Sequence, residues 1–256
     1  MKVLNKEELK KAEEALRHYF PQSQQVCKPT HSSHRCAVDQ WPDFNVLLIR
    51  PQRQEKADLF KVISIFTKDE TTLRNILVGT DVIDWKQYLC LSVDLSSRSV
   101  PMRKDHVCYM LKLQNPSNLT TERFPVQVSS LNESHLALVN STWKFGMGEF
   151  SERFVRERIM NFPSCCVLDS EGQPVSWILT YASCAMGMLY TMPEHRRKGY
   201  AKALVTILAK KLHSEGYPVY CFIEEENQLS YRLFTSLGFT ADPSYRAAWI
   251  KFNQSC

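Results

Sequence analysis

Leu189-Tyr190-Thr191-Met192-Pro193-Glu194-His195-Arg196-Arg197-Lys198-Gly199-Tyr200-Ala201 decides how the rest of this chain is read. An apolar strand runs into a proline turn, then a cluster of cations, then two small residues opening an amphipathic helix. The first amides of a helix have no partner inside it, and the macrodipole makes that end positive, so such a junction suits a phosphate. Gly199 and Ala201 leave room for an anion to approach the backbone, while Arg196, Arg197 and Lys198 add full charges. The helix is predicted from Leu204, Val205, Leu208 and Leu212 on one face and Lys202, Lys210 and Lys211 on the other. A surface helix behind a charged turn would share these residues, so the place of the turn in the fold has to decide.

Working outward, Met186 to Thr191 is predicted as a strand, the helix runs from Gly199 to Gly216, and Val219 to Ile223 is the next strand. Such a unit predicts a right-handed parallel crossover. Ligands of open α/β sheets sit beyond the carboxyl ends of such strands, which is where this turn lies. Upstream, Cys165 to Leu168 and Val175 to Thr180 read as strands joined through Ser170-Glu171-Gly172-Gln173, a hairpin signal. Before them come a short strand, Phe124 to Val128, and two helices. One carries Leu136, Val139 and Trp143, is capped by Asn132 or Ser130, and stops at Gly146; the other is capped by Ser151 and ends at Pro163. Downstream, a helix from Asn227 to Leu237 has Gly238 at its C′ position, and Tyr245 to Phe252 closes the chain as a strand.

The N-terminal half reads as a smaller α/β unit: an amphipathic helix from Lys6 to Tyr19, strands at Asn45 to Arg50 and Val62 to Phe66, a helix from Asp69 to Val78, and weaker strands at Tyr88 to Val93 and Val107 to Leu113. Nothing in it carries catalytic chemistry on physical grounds. Asn115-Pro116-Ser117-Asn118 is the expected linker.

A chain of 256 residues that is 44% hydrophobic can bury one large or two modest cores. Its net charge of +5 is a mild surplus; no Lys/Arg run exceeds three residues and no aromatic-basic interleaving is present, so nucleic acid is not the expected partner. An anionic small molecule suits the surplus. Nine cysteines without a CxxC pair point to buried thiols and a reducing compartment. Cys27, His31, His34 and Cys36 are four possible zinc ligands, but their cramped spacing matches no usual structural site, so a loose loop and no metal are expected from Gln22 to Arg35. Met1 to Glu8 does not read as a secretory signal and, with its several glutamates, reads as a poor transit peptide; no apolar run approaches a membrane span.

The phosphate ligand can be narrowed. A Walker loop needs Gly-Lys-Ser/Thr and a dinucleotide fingerprint needs three glycines; neither is here. Arg-x-x-Gly-x-Ala, Arg196 to Ala201, in a β-α-α-β-β-β-α-β-α-β order resembles the GNAT superfamily of N-acyltransferases. The resemblance implies a mixed, mostly antiparallel sheet with a β-α-β unit whose loop cradles the pyrophosphate of coenzyme A. It also implies that the strands on either side splay around the pantetheine arm. Asn227, Leu233-Phe234 and Leu237-Gly238-Phe239 are similar to the next GNAT segment. His135-Leu136-Ala137-Leu138-Val139-Asn140, Trp143, Gly146, Glu149, Arg153-Phe154, Phe162-Pro163-Ser164-Cys165-Cys166 and Glu171 to Trp177 resemble the glycine N-acyltransferase family more closely. Trp41-Pro42-Asp43-Phe44 and Trp85-Lys86-Gln87 are similar to that family's N-terminal domain, whereas Cys27 to Ala37 departs from it and Val93 to Pro125 is short, implying a trimmed N-terminal sheet.

On this resemblance, residues 1–118 are an N-terminal α/β domain and 119–256 the acyl-CoA-binding catalytic domain. Leu189, Tyr190, Thr191, Arg196, Arg197, Lys198, Gly199, Tyr200, Ala201 and Asn227 would contact coenzyme A. Acyl-CoA would be a co-substrate, with no permanently bound cofactor and no metal, and the acceptor would be the amine of glycine or a related amino acid. The family implies a mitochondrial address, with the cytosol as the alternative. An amine is protonated near neutral pH and must lose a proton before it attacks a thioester; a base in reach contributes about 10²–10⁴-fold. A backbone N–H near Leu189 would stabilise the oxyanion. Glycine-conjugating members carry a Glu at the position of Ala185, and many GNAT enzymes a Tyr acid at that of Phe234. His195, Glu194 or Glu224 could substitute as base, the acceptor could arrive neutral by its own equilibrium, or the protein could bind acyl-CoA with weak or no catalysis.

Overall fold

The computed structural model of the chain describes residues 1–21, 34–51, 62–86, 88–94, 106–120 and 127–253. Two compact units divide it: Met1–Val107 with Ala247–Cys256, and Cys108–Arg246.

In the first unit, β1 (Lys2–Val3), β2 (His34–Val38), β3 (Val46–Pro51) and β4 (Val62–Thr67) pair antiparallel in that order, and β5 (Leu89–Asp94) adds to β4 in parallel. β5 then pairs antiparallel with the last part of β12 (Thr240–Phe252) from Ala247 onward. Alternation on β3 sorts its side chains between two cores. Leu47 and Ile49 join Leu9, Ala12 and Leu16 of α1 (Lys6–Ala15), while Val46 and Leu48 join Leu73 of α2 (Glu70–Gly79). Asn5 starts α1 with a reciprocal capping box to Glu8. That helix ends at Ala15, short of the expected Tyr19. The irregular piece expected to reach Arg35 gives way at His34 to β2, where Cys36 is buried and its thiol is pushed up to about 12 by that burial. Cys27 and His31 lie outside the described residues.

From the short strand near Val128 onward the second unit follows the predicted β-α-α-β-β-β-α-β-α-β order, with α3 (Leu136–Thr142), α4 (Glu149–Asn161), β8 (Ser164–Leu168), β9 (Pro174–Thr180), β10 (Met186–Thr191), α5 (Tyr200–Ser214), β11 (Tyr220–Glu224), α6 (Gln228–Ser236) and the first part of β12. β6 (His106–Lys112), expected in the N-terminal half, instead pairs with β11 of this unit. A short β7 (Val128–Ser129) pairs with the outer edge of β8; the rest of the strand expected at Phe124 to Val128 falls mainly outside the described residues. The strands run β6-β11-β10-β9-β8-β7, and only β10·β11 is parallel among them. Both faces are covered, which is why β9 is buried at every residue. Val175 and Ile178 pack with Leu204, Val205, Leu208 and Leu212 of α5, while Trp177 and Leu179 pack with α3 and α4. Full burial of each such side chain contributes on the order of 1.5–3 kcal/mol. The adjacent thiols of Cys165 and Cys166 belong to opposite cores for the same reason.

Three expectations need correcting. Ser151 does not cap α4: the N-cap is Gly148, at φ +57°, and Ser151 is a buried first-turn residue whose hydroxyl donates to Asn140 Oδ1 at 2.5 Å and accepts from the Met147 N–H at 2.7 Å. α3 ends at Thr142 with Trp143 as its C-cap, short of the expected stop at Gly146, where a Cβ would lie 2.0 Å from the Asn140 carbonyl oxygen. The expected linker at Asn115 to Asn118 is a 3₁₀ turn, Pro116–Asn118, within the second unit, with Pro116 buried.

Candidate active site

β10 sits between β9 and β11 and treats them differently. Against β9 it pairs at Met186↔Thr180 and Gly187↔Leu179, then at Tyr190↔Trp177 and Thr191↔Ser176. Met188 and Leu189 on β10 thus stand against Ile178 alone on β9, a bulge, and Met188 within it takes φ +50°. Gly187 permits the turn before β10 to fold against it: a Cβ there would lie 2.2 Å from the Tyr181 ring. Against β11, β10 pairs only at Met186↔Cys221. β11 keeps its other edge zipped to β6 from Tyr220↔Lys112 to Glu224↔Cys108. The parallel strands therefore part after one pair, and the edge of β10 from Gly187 to Thr191 has no ladder partner on β11.

The carboxyl end of β10 is pinned. The Ser176 hydroxyl donates to the Tyr190 carbonyl at 3.0 Å and lies 2.7 Å from the Thr191 hydroxyl, while the Tyr190 ring packs on Trp177 at 5.3 Å. A single 3₁₀ turn, Pro193–His195, follows. Arg196 folds back, its Nε donating to the Thr191 carbonyl at 3.2 Å with the guanidinium 6.0 Å from the Tyr190 ring centre. Arg197 at φ +62° and Gly199 at φ +80° are both left-handed, the first at a non-glycine residue where that conformation is costly. Alternating conformations of this kind turn successive N–H groups inward to form an anion-binding concavity. α5 starts at Tyr200 with no side-chain cap, so its first amides point out of the helix end unclaimed by any capping side chain. Arg196, Arg197 and Lys198 are exposed around them. Leu189 to Ala201 is thus one continuous edge, while Asn227 stands apart as the N-cap of α6, with Oδ1 accepting from the Ser230 N–H at 3.1 Å.

The candidate acid–base residues are dispersed. Ala185 is completely buried and its carbonyl accepts from the Tyr181 N–H at 2.9 Å. Phe234 is in the core, edge-on to Phe239 at 5.1 Å. Glu194 is exposed on the loop; His195 is half-buried, with its ring 6.4 Å from that of Tyr200 and its Nδ1 buried without a partner among the described residues. Glu224 lies at the end of β11, only 19% exposed, accepting from Lys144 Nζ at 2.5 Å. The next residue, Glu225, pairs with Arg246 at 3.3 Å, and Arg246 stacks over Tyr109 at 4.5 Å. Sequence reading missed the Tyr181 hydroxyl, which accepts from the Trp143 side chain and is raised to about 12, by burial above all. It also missed Lys144. Strand alternation offered a signal: Cys221 and Ile223 face the α5 core, which puts Tyr220, Phe222 and Glu224 on the opposite face. A separate cleft of about 330 Å³, lined by Leu113, Asn118, Leu237 and Thr240 among others, has no charged side chain in its wall.

Known proteins of similar sequence identify the family. The family described as aralkyl acyl-CoA:amino acid N-acyltransferase matches residues 1–108 and 91–163, and its C-terminal region matches 165–253. Glycine N-acyltransferase of Mus musculus is 32% identical, over 88% of this chain and 91% of its own length. The Bos taurus glycine N-acyltransferase is 31% identical, over 94% of this chain and 95% of its own. Among solved structures, a Drosophila protein superposes with a TM-score of 0.82 at 17% identity, covering 98% of this chain and 97% of its own. A GCN5-related N-acetyltransferase from Kribbella flavida gives 0.60 at 14%, covering 94% and 96%. Both structural likenesses speak for the fold alone, and that fold is the GNAT fold. On sequence, the chain belongs to the aralkyl acyl-CoA:amino acid N-acyltransferase family and is an enzyme that moves an acyl group from acyl-CoA to the amino group of an amino acid.

Proposed function

We propose that this chain acylates glycine or another small amino acid, and that Leu189, Tyr190, Thr191, Arg196, Arg197, Lys198, Gly199, Tyr200, Ala201 and Asn227 hold the coenzyme A. The observation that carries the reading is the single Met186↔Cys221 pair followed by an uncapped, cation-flanked helix start. A pyrophosphate on the amides at Gly199 to Lys202 would gain charge-assisted hydrogen bonds and the helix dipole together. The unpaired edge of β10 could then receive the amide groups of a pantetheine arm as a missing strand would. In this reading residues 119–256 are the catalytic domain and 1–118 the N-terminal domain. Acyl-CoA is a co-substrate rather than a resident cofactor, and the name of the relatives supports glycine as acceptor. A mitochondrial address rests on family resemblance, with the cytosol as the alternative.

The test is release of free CoA when acetyl-, short-chain and benzoyl-CoA are each incubated with glycine, glutamine and a panel of other amino acids, with acyl-CoA binding measured in parallel. Acceptor-dependent release is expected. Tight binding with no release above the acceptor-free blank would replace this reading with an acyl-CoA-binding protein, the reading Ala185 favours.

A further inference from the structure

We propose that Glu224 is the proton acceptor for the incoming amine and that the acceptor's zwitterionic head inserts between Glu224 and Lys144, which hold each other's charge until it arrives. The proposal rests on the acyl-transfer reading and deepens it.

Position comes first. β10 and β11 meet at Met186↔Cys221 and then part. Three residues further along each strand stand Leu189 and Glu224, on the two sides of the gap. A thioester drawn along the unpaired edge of β10 would bring its carbonyl toward Leu189, with Glu224 facing it from β11. No carboxylate stands at position 185, where Ala185 is completely buried and its neighbour on the strand, Met186, is in the core beneath α5.

Charge comes second. Glu224 is a mostly buried carboxylate whose partner is not: the Lys144 side chain is 61% exposed and that of Glu224 19%. Half-exposed ion pairs are weak, so the ammonium of Lys144 can be exchanged for another at little cost. A free amino acid offers an ammonium for Glu224 and a carboxylate for Lys144, so neither protein charge is left unpaired. The surroundings are polar on that side: Cys108 is opposite Glu224 in the β6·β11 register, Tyr181 is close enough to sense its charge, and Glu225 with Arg246 flanks it.

The chemistry balances. Glu224 takes one proton from the acceptor ammonium, the freed nitrogen lone pair attacks the thioester carbon, and the carbonyl electrons move to oxygen. Collapse restores the carbonyl and breaks the C–S bond, its electron pair leaving on sulfur. A second proton from nitrogen ends on that sulfur as free thiol, and the proton held by Glu224 passes to water.

The experiment compares wild type, Glu224→Gln and Lys144→Met, reading acyl-CoA affinity and steady-state kinetics with glycine and with glycinamide, which lacks the carboxylate. For Glu224→Gln, kcat is expected to fall about 100-fold with acyl-CoA affinity unchanged. The deficit should shrink as pH rises toward the range where the amine deprotonates unaided. Unchanged affinity also shows that the variant is folded. For Lys144→Met, KM for glycine should rise about tenfold while KM for glycinamide stays within twofold. A kcat for Glu224→Gln within threefold of wild type overturns the proposal and leaves the acyl-transfer reading standing. A wild type that binds acyl-CoA yet acylates no acceptor overturns both.

Discussion

Each unit of this molecule contains a parallel strand–helix–strand, and the two differ where it matters. In the first unit β4 and β5 stay paired at Val62↔Cys90, Ile63↔Leu91 and Ser64↔Ser92, and α2 between them is closed at its start. Asp69 accepts from the amides of Thr71 at 3.1 Å and Thr72 at 3.0 Å, and Glu70 adds negative charge to the first turn. In the second unit β10 and β11 hold one pair, and α5 starts with no side-chain cap, no acidic residue in its first turn, and three cations ahead of it. The same topology is sealed in one place and left with unclaimed donors in the other. An anion site is therefore a property not of the crossover but of what the junction leaves unsatisfied. The cores differ in the same direction: among the described residues, the buried polar side chains Asn140, Ser151, Arg158, Ser164, Ser176, Thr180 and Thr206 all belong to the second unit. Buried polar groups specify geometry at a cost in stability, and they concentrate where geometry is used.

The comparison can be broken most forcefully at Gly199. Gly199→Asp would give α5 the kind of cap α2 already has, replacing an open positive end by a carboxylate, and would put a side chain on a backbone at φ +80°. Acyl-CoA affinity is expected to fall about 100-fold, measured by calorimetry, with the circular dichroism spectrum unchanged. An affinity within threefold of wild type would mean that the open helix end is not what distinguishes the two crossovers.

The contrast is largely legible in the amino-acid sequence, because the signals that carry it are local. β10 is predicted at Met186 to Thr191 and α5 from Gly199 because Pro193, Gly199 and the Leu204-Val205-Leu208-Leu212 stripe punctuate the chain without ambiguity. Ser151 misleads because a serine before an apolar run reads as a cap; only the tertiary partner Asn140 reveals that it caps nothing. The last strand, β12, begins at Thr240 rather than at the expected Tyr245. Asp242 and Ser244 look like loop residues, yet Asp242 is held by Lys112 at 2.8 Å across the sheet. Glu224 is visible in sequence only as one acid among several, since pairing with Lys144 spans 80 positions and no local pattern encodes it. The bulge at Met188 has no signal other than Gly187, whose need for space comes from Tyr181, a residue brought back by the turn.

That bulge offers a finer test. Gly187→Ala places a methyl where the Tyr181 ring already lies, and overpacking of this sort costs about 1–3 kcal/mol. Gly79→Ala, at the end of α2, meets nothing within 4 Å and should be neutral or gain a few tenths of a kcal/mol. Chemical denaturation of the two variants should therefore move the midpoint down for the first and leave it or raise it for the second. Equal behaviour would show that β10 at Gly187 is not under tighter steric control than the end of α2 in the first unit.

The smallest effect belongs to Asp69, and its pH dependence identifies its origin. The Thr72 hydroxyl and then the Thr72 and Thr71 amides hold the Asp69 carboxyl below the usual carboxylate range. A carboxyl with a depressed value in the folded chain adds stability above its unfolded value of about 3.9, and that contribution is lost as pH falls through the folded value. Asp69→Ala should lower the thermal midpoint by on the order of 2–4 °C at pH 7, with the gap to wild type closing as the pH drops below about 4. Acyl-CoA affinity should not move, because the cap that is lost closes a helix end that binds no ligand. A variant that lost affinity along with stability would tie the sealed crossover to the open one and dissolve the contrast between them.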